Sequence, residues 1–137
     1  MARMNPRSII VFDGVCILCN GWVRFVLERD ADGRFVFAAM QTAAGRRLLQ
    51  EHGLDPDAPA SLLLLDEGVP YTDSTAILRV LARLGAGWKA VAGTLSAVPL
   101  ALRDRAYRWI ARHRYRWFGR RATCVAPAPA NARRFIR

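Results

Sequence analysis

The sequence predicts an α/β fold in the order β-α-β-α-β-β-α, followed by a helical, arginine-rich segment. Three observations carry this. Short apolar runs rich in β-branched residues alternate with stretches of helical spacing. Asp66-Glu67-Gly68 stands between two such runs as a hairpin turn. The 137 residues, 53% of them hydrophobic, are enough for one core that needs no disulfide or metal staple.

Ser8 to Asp13 (SIIVFD) reads as a fully buried strand stopped by Asp13-Gly14. From Cys16 to Asp30 the spacing is helical. Leu18, Trp22 and Phe25 form one stripe and Cys19, Val23 and Val26 the next, with Asn20, Arg24 and Glu28 outward. Arg34 to Ala39 is the second strand, and Ala43 to His52 a helix ended by Gly53. Pro56 and Pro59 bracket a loop. Ser61 to Leu65 and Val69 to Thr72 flank the turn at Asp66-Glu67-Gly68, read as three residues long. Asp73-Ser74 then caps a helix with Ile77, Val80, Leu81 and Leu84 as its core stripe and Gly85 past its end. Trp88 to Ala92, between two glycines, receives no assignment. Pro99 starts a helix reaching about Phe118. Ala126 to Ala130 reads as a linker or surface strap. Residues 1–85 are expected to form the core, and residues 86–137 a helical extension and basic tail packed on the same domain.

The most apolar stretch, Ala86 to Leu102, is interrupted by Lys89 and Pro99 and falls short of a membrane span. The longest apolar run before Asp13-Gly14 is four residues, too short for a secretory signal, so a cytoplasmic location is expected. The net charge of +10 is concentrated at one end: residues 103–137 hold eleven arginines against Asp104, whereas residues 1–102 balance ten bases against ten acids. Arg103 to Arg121 interleaves arginine with Tyr107, Trp109, Tyr115, Trp117 and Phe118, a mixture suited to an anionic partner or a membrane surface. The plainer reading, preferred here, is a helix that packs Tyr107, Ile110, Ala111 and Phe118 on the domain and solvates its arginines. Nucleic acid binding is not expected.

The sharp chemical signal is Cys16-Ile17-Leu18-Cys19 at a strand-to-helix turn. Thiolate is the nucleophile in thiol chemistry, and a helix N-terminus offers unpaired N–H donors and a positive dipole end that stabilise it. Cys16 is therefore expected to be the attacking, more acidic and more exposed thiol. Cys19, one turn on, closes the disulfide after a mixed-disulfide step. Two plainer readings stay open: cysteines packed as small hydrophobes, or a zinc half-site, for which only Cys124, His52 and His113 remain as partners. No cofactor or metal is expected. Asp13 either relays a proton for Cys19 or accepts backbone N–H groups at the helix mouth. A carboxylate there opposes activation of Cys16, so the relay suits Cys19 better. Cys124 is expected to be dispensable for reversible oxidation.

Asp13-Gly14-x-Cys16-x-x-Cys19, with Val23-x-Phe25, Asp30, the hairpin, Ser74-x-Ala76 and Arg114-Tyr115-Arg116-Trp117-Phe118-Gly119, resembles the DCC family of thiol-disulfide oxidoreductases. The resemblance extends to about Cys124. It implies a thioredoxin-like fold with a mixed four-stranded sheet, catalytic roles for Asp13, Cys16 and Cys19, and exchange with a disulfide or dithiol of a protein or small thiol. A rival reading is a non-catalytic module that uses its basic helix to engage RNA, membrane or a protein partner. Thioredoxins place a cis-proline directly before the third strand. Here Ala60 and Ser61 follow Pro59, so the resemblance does not extend to peptide-backbone binding at that point. In a thioredoxin-like sheet Gln41, Ser61 and Ser74 fall at the strand ends around Cys16, as candidate substrate-binding residues. For Ser74, capping of its own helix is the preferred role.

Overall fold

The computed structural model describes residues 8–30, 33–54, 62–119 and 134–136. Its elements run β1 (Ser8–Phe12), α1 (Ile17–Arg29), β2 (Phe35–Ala39), α2 (Ala43–Glu51), β3 (Leu63–Asp66), β4 (Val69–Thr72), α3 (Asp73–Ala82), α4 (Ala86–Ser96), α5 (Leu100–Phe118) and β5 (Phe135–Ile136). The sheet order is β4-β3-β1-β2-β5. β1 and β2 are parallel, β3 opposes β1, and β4 opposes β3. This is the thioredoxin-like arrangement that the resemblance implies, with one strand more than the four expected.

The additional strand, β5, pairs parallel to β2 with Phe37 beside Phe135. Two residues give no periodicity to read, so only tertiary contact reveals it. Phe135 packs on Phe12 and Phe37, with ring centroids 6.2 and 5.4 Å away. Arg134 reaches Asp30 at 2.5 Å and the Phe35 carbonyl at 2.9 Å, and the β2 edge is covered.

Side chains on the central strands alternate between two cores. Ile10, Phe12, Phe35, Phe37 and Leu64 meet Val23 and Val26 of α1 and Ala76 and Val80 of α3 on one face. Val11, Ala38, Leu63 and Leu65 meet Leu49 of α2 on the other. Burial on both faces explains why β1 and β2 read as continuous apolar runs. At the end of β2, α2 approaches so closely that a Cβ on Gly45 would lie 2.0 Å from the Ala39 carbonyl oxygen. Only glycine permits that contact.

The hairpin turn is tighter than the expected three residues. Asp66 still pairs with Val69, and Glu67 and Gly68 alone turn the chain with φ of 54° and 84°, as a two-residue turn matched to strand twist requires. Asp66 instead turns its buried carboxylate to the Ser8 hydroxyl at 2.8 Å and to Arg79 and Arg83 at 3.1 and 2.8 Å. Trp88 to Ala92, unassigned above, belongs to α4, which packs Trp88 and Ala92 on Leu78 and Leu81 of α3. No helix among the described residues is long and apolar enough to cross a membrane.

Candidate active site

The parallel pairing of β1 and β2 brings the turn after β1, Asp13 to Cys16, beside Met40 and Gln41 after β2. Cys16 is the N-cap of α1, in extended conformation, and its sulfur accepts the Cys19 N–H at 3.3 Å. A donor aimed at the sulfur favours its anion. The turn itself is held by its own groups. The Cys16 N–H donates to the Asp13 carbonyl at 3.2 Å, and the Asn20 side chain donates to the carbonyls of Gly14 and Cys16, each at 2.8 Å. Asn20 is thus half-buried and turned back on the helix mouth, not outward as its spacing predicts.

The expected exposure of the two thiols is reversed. Cys16 is 0% exposed, whereas Cys19 is half-buried. Two contacts explain this. Capping turns the Cys16 sulfur inward over the first turn of α1, and the end of α5 lies across that turn, where the Gly119 carbonyl accepts the Ile17 N–H at 3.4 Å. Cys19 lines a cavity of about 220 Å³ between α1, α3 and α5, together with Asp13, Trp22, Ile77, Tyr107 and Ala111.

Asp13 is 1% exposed, and it is held at both carboxylate oxygens. Oδ1 accepts the Val15 N–H at 3.2 Å and the Gln41 side-chain amide at 2.8 Å, and Oδ2 accepts the Tyr115 hydroxyl. The Val15 contact is the turn-organising bond expected of Asp13. Asp13 also lines the cavity with Cys19. Gln41 spans the two loops, since its carbonyl also accepts the Gly14 N–H at 2.9 Å.

Ser74 is turned to α5. Its N–H and hydroxyl both donate to Asp104, the N–H at 3.2 Å. Neither Asp73 nor Ser74 is the N-cap of α3. Thr72 holds that position without a side-chain cap bond, Asp73 enters the helix at φ 56°, and the orphan amide of Ser74 is satisfied from another helix. Ser61, Cys124 and Ala126 to Ala130 lie outside the described residues. Among those described, no three His, Cys, Asp or Glu side chains gather as metal ligands would.

The chain matches the DCC1-like thiol-disulfide oxidoreductase family over residues 10–120. It is 40% identical over 131 residues to the uncharacterized protein YuxK of Bacillus subtilis (strain 168), a match covering 96% of this chain and 95% of that protein. It is 38% identical over 120 residues to a chloroplastic DCC family protein of Arabidopsis thaliana, covering 88% of this chain and 70% of that one. The chain belongs to the DCC1-like thiol-disulfide oxidoreductase family. No solved structure gives a significant match.

The matched span of this DCC1-like chain takes in α5, and α5 supplies two further residues to the site. Tyr115 reaches Asp13 across 102 positions. Tyr107 accepts the Leu62 N–H at 3.2 Å. For Tyr115 the signals in the sequence are the Arg114 to Gly119 motif and the aromatic interleaving of the basic segment. Tyr107 packs on the domain, as its spacing predicts, and nothing local to it announces a cavity beside a thiol.

Proposed function

We propose that the protein is a thiol-disulfide oxidoreductase that exchanges its Cys16-Cys19 pair with a disulfide or dithiol of a protein or small thiol, with Cys19 as the sulfur that meets the substrate. One observation carries this reading: Cys19 and Asp13 line the same cavity, whereas Cys16 is fully buried as the N-cap of α1. In the reducing direction Asp13 takes the Cys19 proton and the Cys19 thiolate attacks a substrate sulfur. The substrate S–S bond breaks, one substrate thiolate leaves, and a mixed disulfide remains on Cys19. Cys16 thiolate then attacks the Cys19 sulfur, closing the Cys16-Cys19 disulfide and releasing the second substrate thiolate. Two electrons pass to the substrate. In the oxidising direction Cys16 is the leaving group, for which the Cys19 N–H and the helix dipole suit it, because a stabilised thiolate leaves faster.

Trapping tests these roles. With a substrate disulfide, Cys16→Ser is expected to accumulate a stable mixed disulfide on Cys19, and Cys19→Ser to accumulate none. Mass mapping of the oxidised wild type is expected to give a Cys16-Cys19 bridge with Cys124 alkylatable. A dominant bridge to Cys124, or no reversible disulfide at accessible potentials, overturns the two-cysteine mechanism.

A second role rests on the outward face of α5. Leu102, Trp109 and Trp117 are 56%, 50% and 47% exposed there, and the rings of Trp109, His113 and Trp117 pack together, His113 stacked on Trp117 and Trp109 edge-on to Trp117. Exposed Arg105, Arg112 and Arg116 flank them. Aromatic rings beside arginines suit the headgroup boundary of an anionic bilayer. Sedimentation with anionic vesicles tests this: binding lost in Trp109→Ser/Trp117→Ser supports surface attachment, and equal binding to neutral vesicles counts against it.

A further inference from the structure

The cavity beside Cys19 is lined, apart from Asp13 and Cys19 itself, by apolar and aromatic side chains. Of the polar atoms on its wall residues, Trp22 Nε1 is buried with no hydrogen-bond partner among the described residues, whereas the carboxylate and the tyrosine hydroxyl are engaged. Asp13 is held by Val15, Gln41 and Tyr115, and the Tyr107 hydroxyl accepts the Leu62 amide. Such walls give water few partners, and an apolar space this size is a site for apolar matter: a cavity of about 150 Å³ takes up benzene. At about 220 Å³ this one suits a substituted ring or a branched side chain. That is less than the 300 Å³ or more of a site enclosing a whole drug-sized ligand.

We infer that the cavity is a specificity subsite for an aromatic or branched aliphatic group attached close to the reacting sulfur of the substrate. The inference rests on the redox reading of Cys19 and adds a substrate class to it. A group seated between Trp22, Ile77 and Ala111 stands next to Cys19, so its burial brings the substrate sulfur to that thiol. Asp13 at the same wall disfavours a carboxylate in the group's place. Strongly hydrophilic thiols and disulfides leave the cavity unfilled. Filling it is worth about 10- to 100-fold in kcat/KM, the effect of burying one large apolar side chain.

Two matched pairs of substrates test this and separate its sources. One is a peptide disulfide with Phe or with Ser beside the cysteine, and the other a low-molecular-weight disulfide with phenylethyl or hydroxyethyl arms. A 10- to 100-fold preference for the apolar member is expected. In the peptide pair alone it supports a protein substrate, in the small pair alone a small thiol, and in both the shared chemistry. No preference in either pair overturns the inference. Ala111→Phe, which fills the cavity from α5, is expected to bring the ratio of kcat/KM within each pair close to one. A binding measurement stands apart from turnover. Benzyl alcohol is expected to raise the melting temperature of the reduced wild type saturably and to slow alkylation of Cys19, and to do neither in Ala111→Phe. Exchange activity without benzyl alcohol binding sinks the subsite and leaves the redox reading standing. Binding without exchange sinks the redox reading and the substrate assignment with it, and leaves only an apolar binding cavity.

Discussion

Replacing Asp13 by Asn separates its two roles. Asparagine keeps an oxygen for the Val15 and Gln41 donors, and the Tyr115 hydroxyl can rotate to accept from the new amide. What changes is the charge. Hydrogen bonds to a charged group contribute about 1.5–3 kcal/mol each and neutral ones about 0.5–1.5. Removing a charge from a side chain only 1% exposed recovers part of that difference. The expected loss of stability is about 0–2 kcal/mol, against the 5–15 kcal/mol that holds a typical domain together, so Asp13→Asn stays folded. Loss of a positioned base costs about 10²- to 10⁴-fold in rate, or about 2.7–5.4 kcal/mol in the barrier. The two effects are thus distinguishable. Stability comes from urea denaturation, and the rate from single-turnover formation of the mixed disulfide on Cys19 across pH. A rate within tenfold of wild type at every pH refutes the proton relay and leaves Asp13 as a turn residue. A stability loss above about 4 kcal/mol would falsify the magnitude reasoned from its contacts.

Iodoacetamide under native reducing conditions is expected to label Cys19 before Cys16, because Cys16 is covered; earlier labelling of Cys16 would reverse the proposed roles. Gly45→Ala places a methyl group against the Ala39 backbone and is expected to cost about 3 kcal/mol by denaturant titration; a cost below about 0.5 kcal/mol would mean that α2 can shift freely. Burial pushes the Asp66 carboxyl up, but the Ser8 hydroxyl, Arg79 and Arg83 outweigh it and hold it below the usual carboxylate range. Its contribution is therefore fully present above the unfolded value near 3.9 and lost as pH falls through the lower folded value. The stability difference between wild type and Asp66→Asn should be constant above about pH 5 and shrink below about pH 4. A difference that grows in acid contradicts the ion pairs.

The sequence by itself determined the elements whose signals are local. β1 and β2 declared themselves because strands buried on both faces must be apolar throughout. α2, β4 and the position of α5 followed from glycine, proline and hairpin chemistry, and the chemistry of the site was legible in Cys16-Ile17-Leu18-Cys19 after Asp13-Gly14. Tertiary structure decided what depends on distant partners. β5 is too short for a period, and it exists because Phe135 finds Phe12 and Phe37. Asn20 fell at an outward spacing, yet two carbonyls of the preceding turn draw it back. Ser74 stood where a helix cap belongs, but Asp104 arrives from α5 to take its amide. The exposure of the two thiols, opposite to that expected from the helix mouth, likewise depends on distant packing. A helix dipole can be read from spacing, whereas the contact of Gly119, at the end of α5, with the first turn of α1 joins residues more than a hundred positions apart. Local propensity places a sulfur at a helix mouth, and only the packing of α5 settles which sulfur faces the cavity.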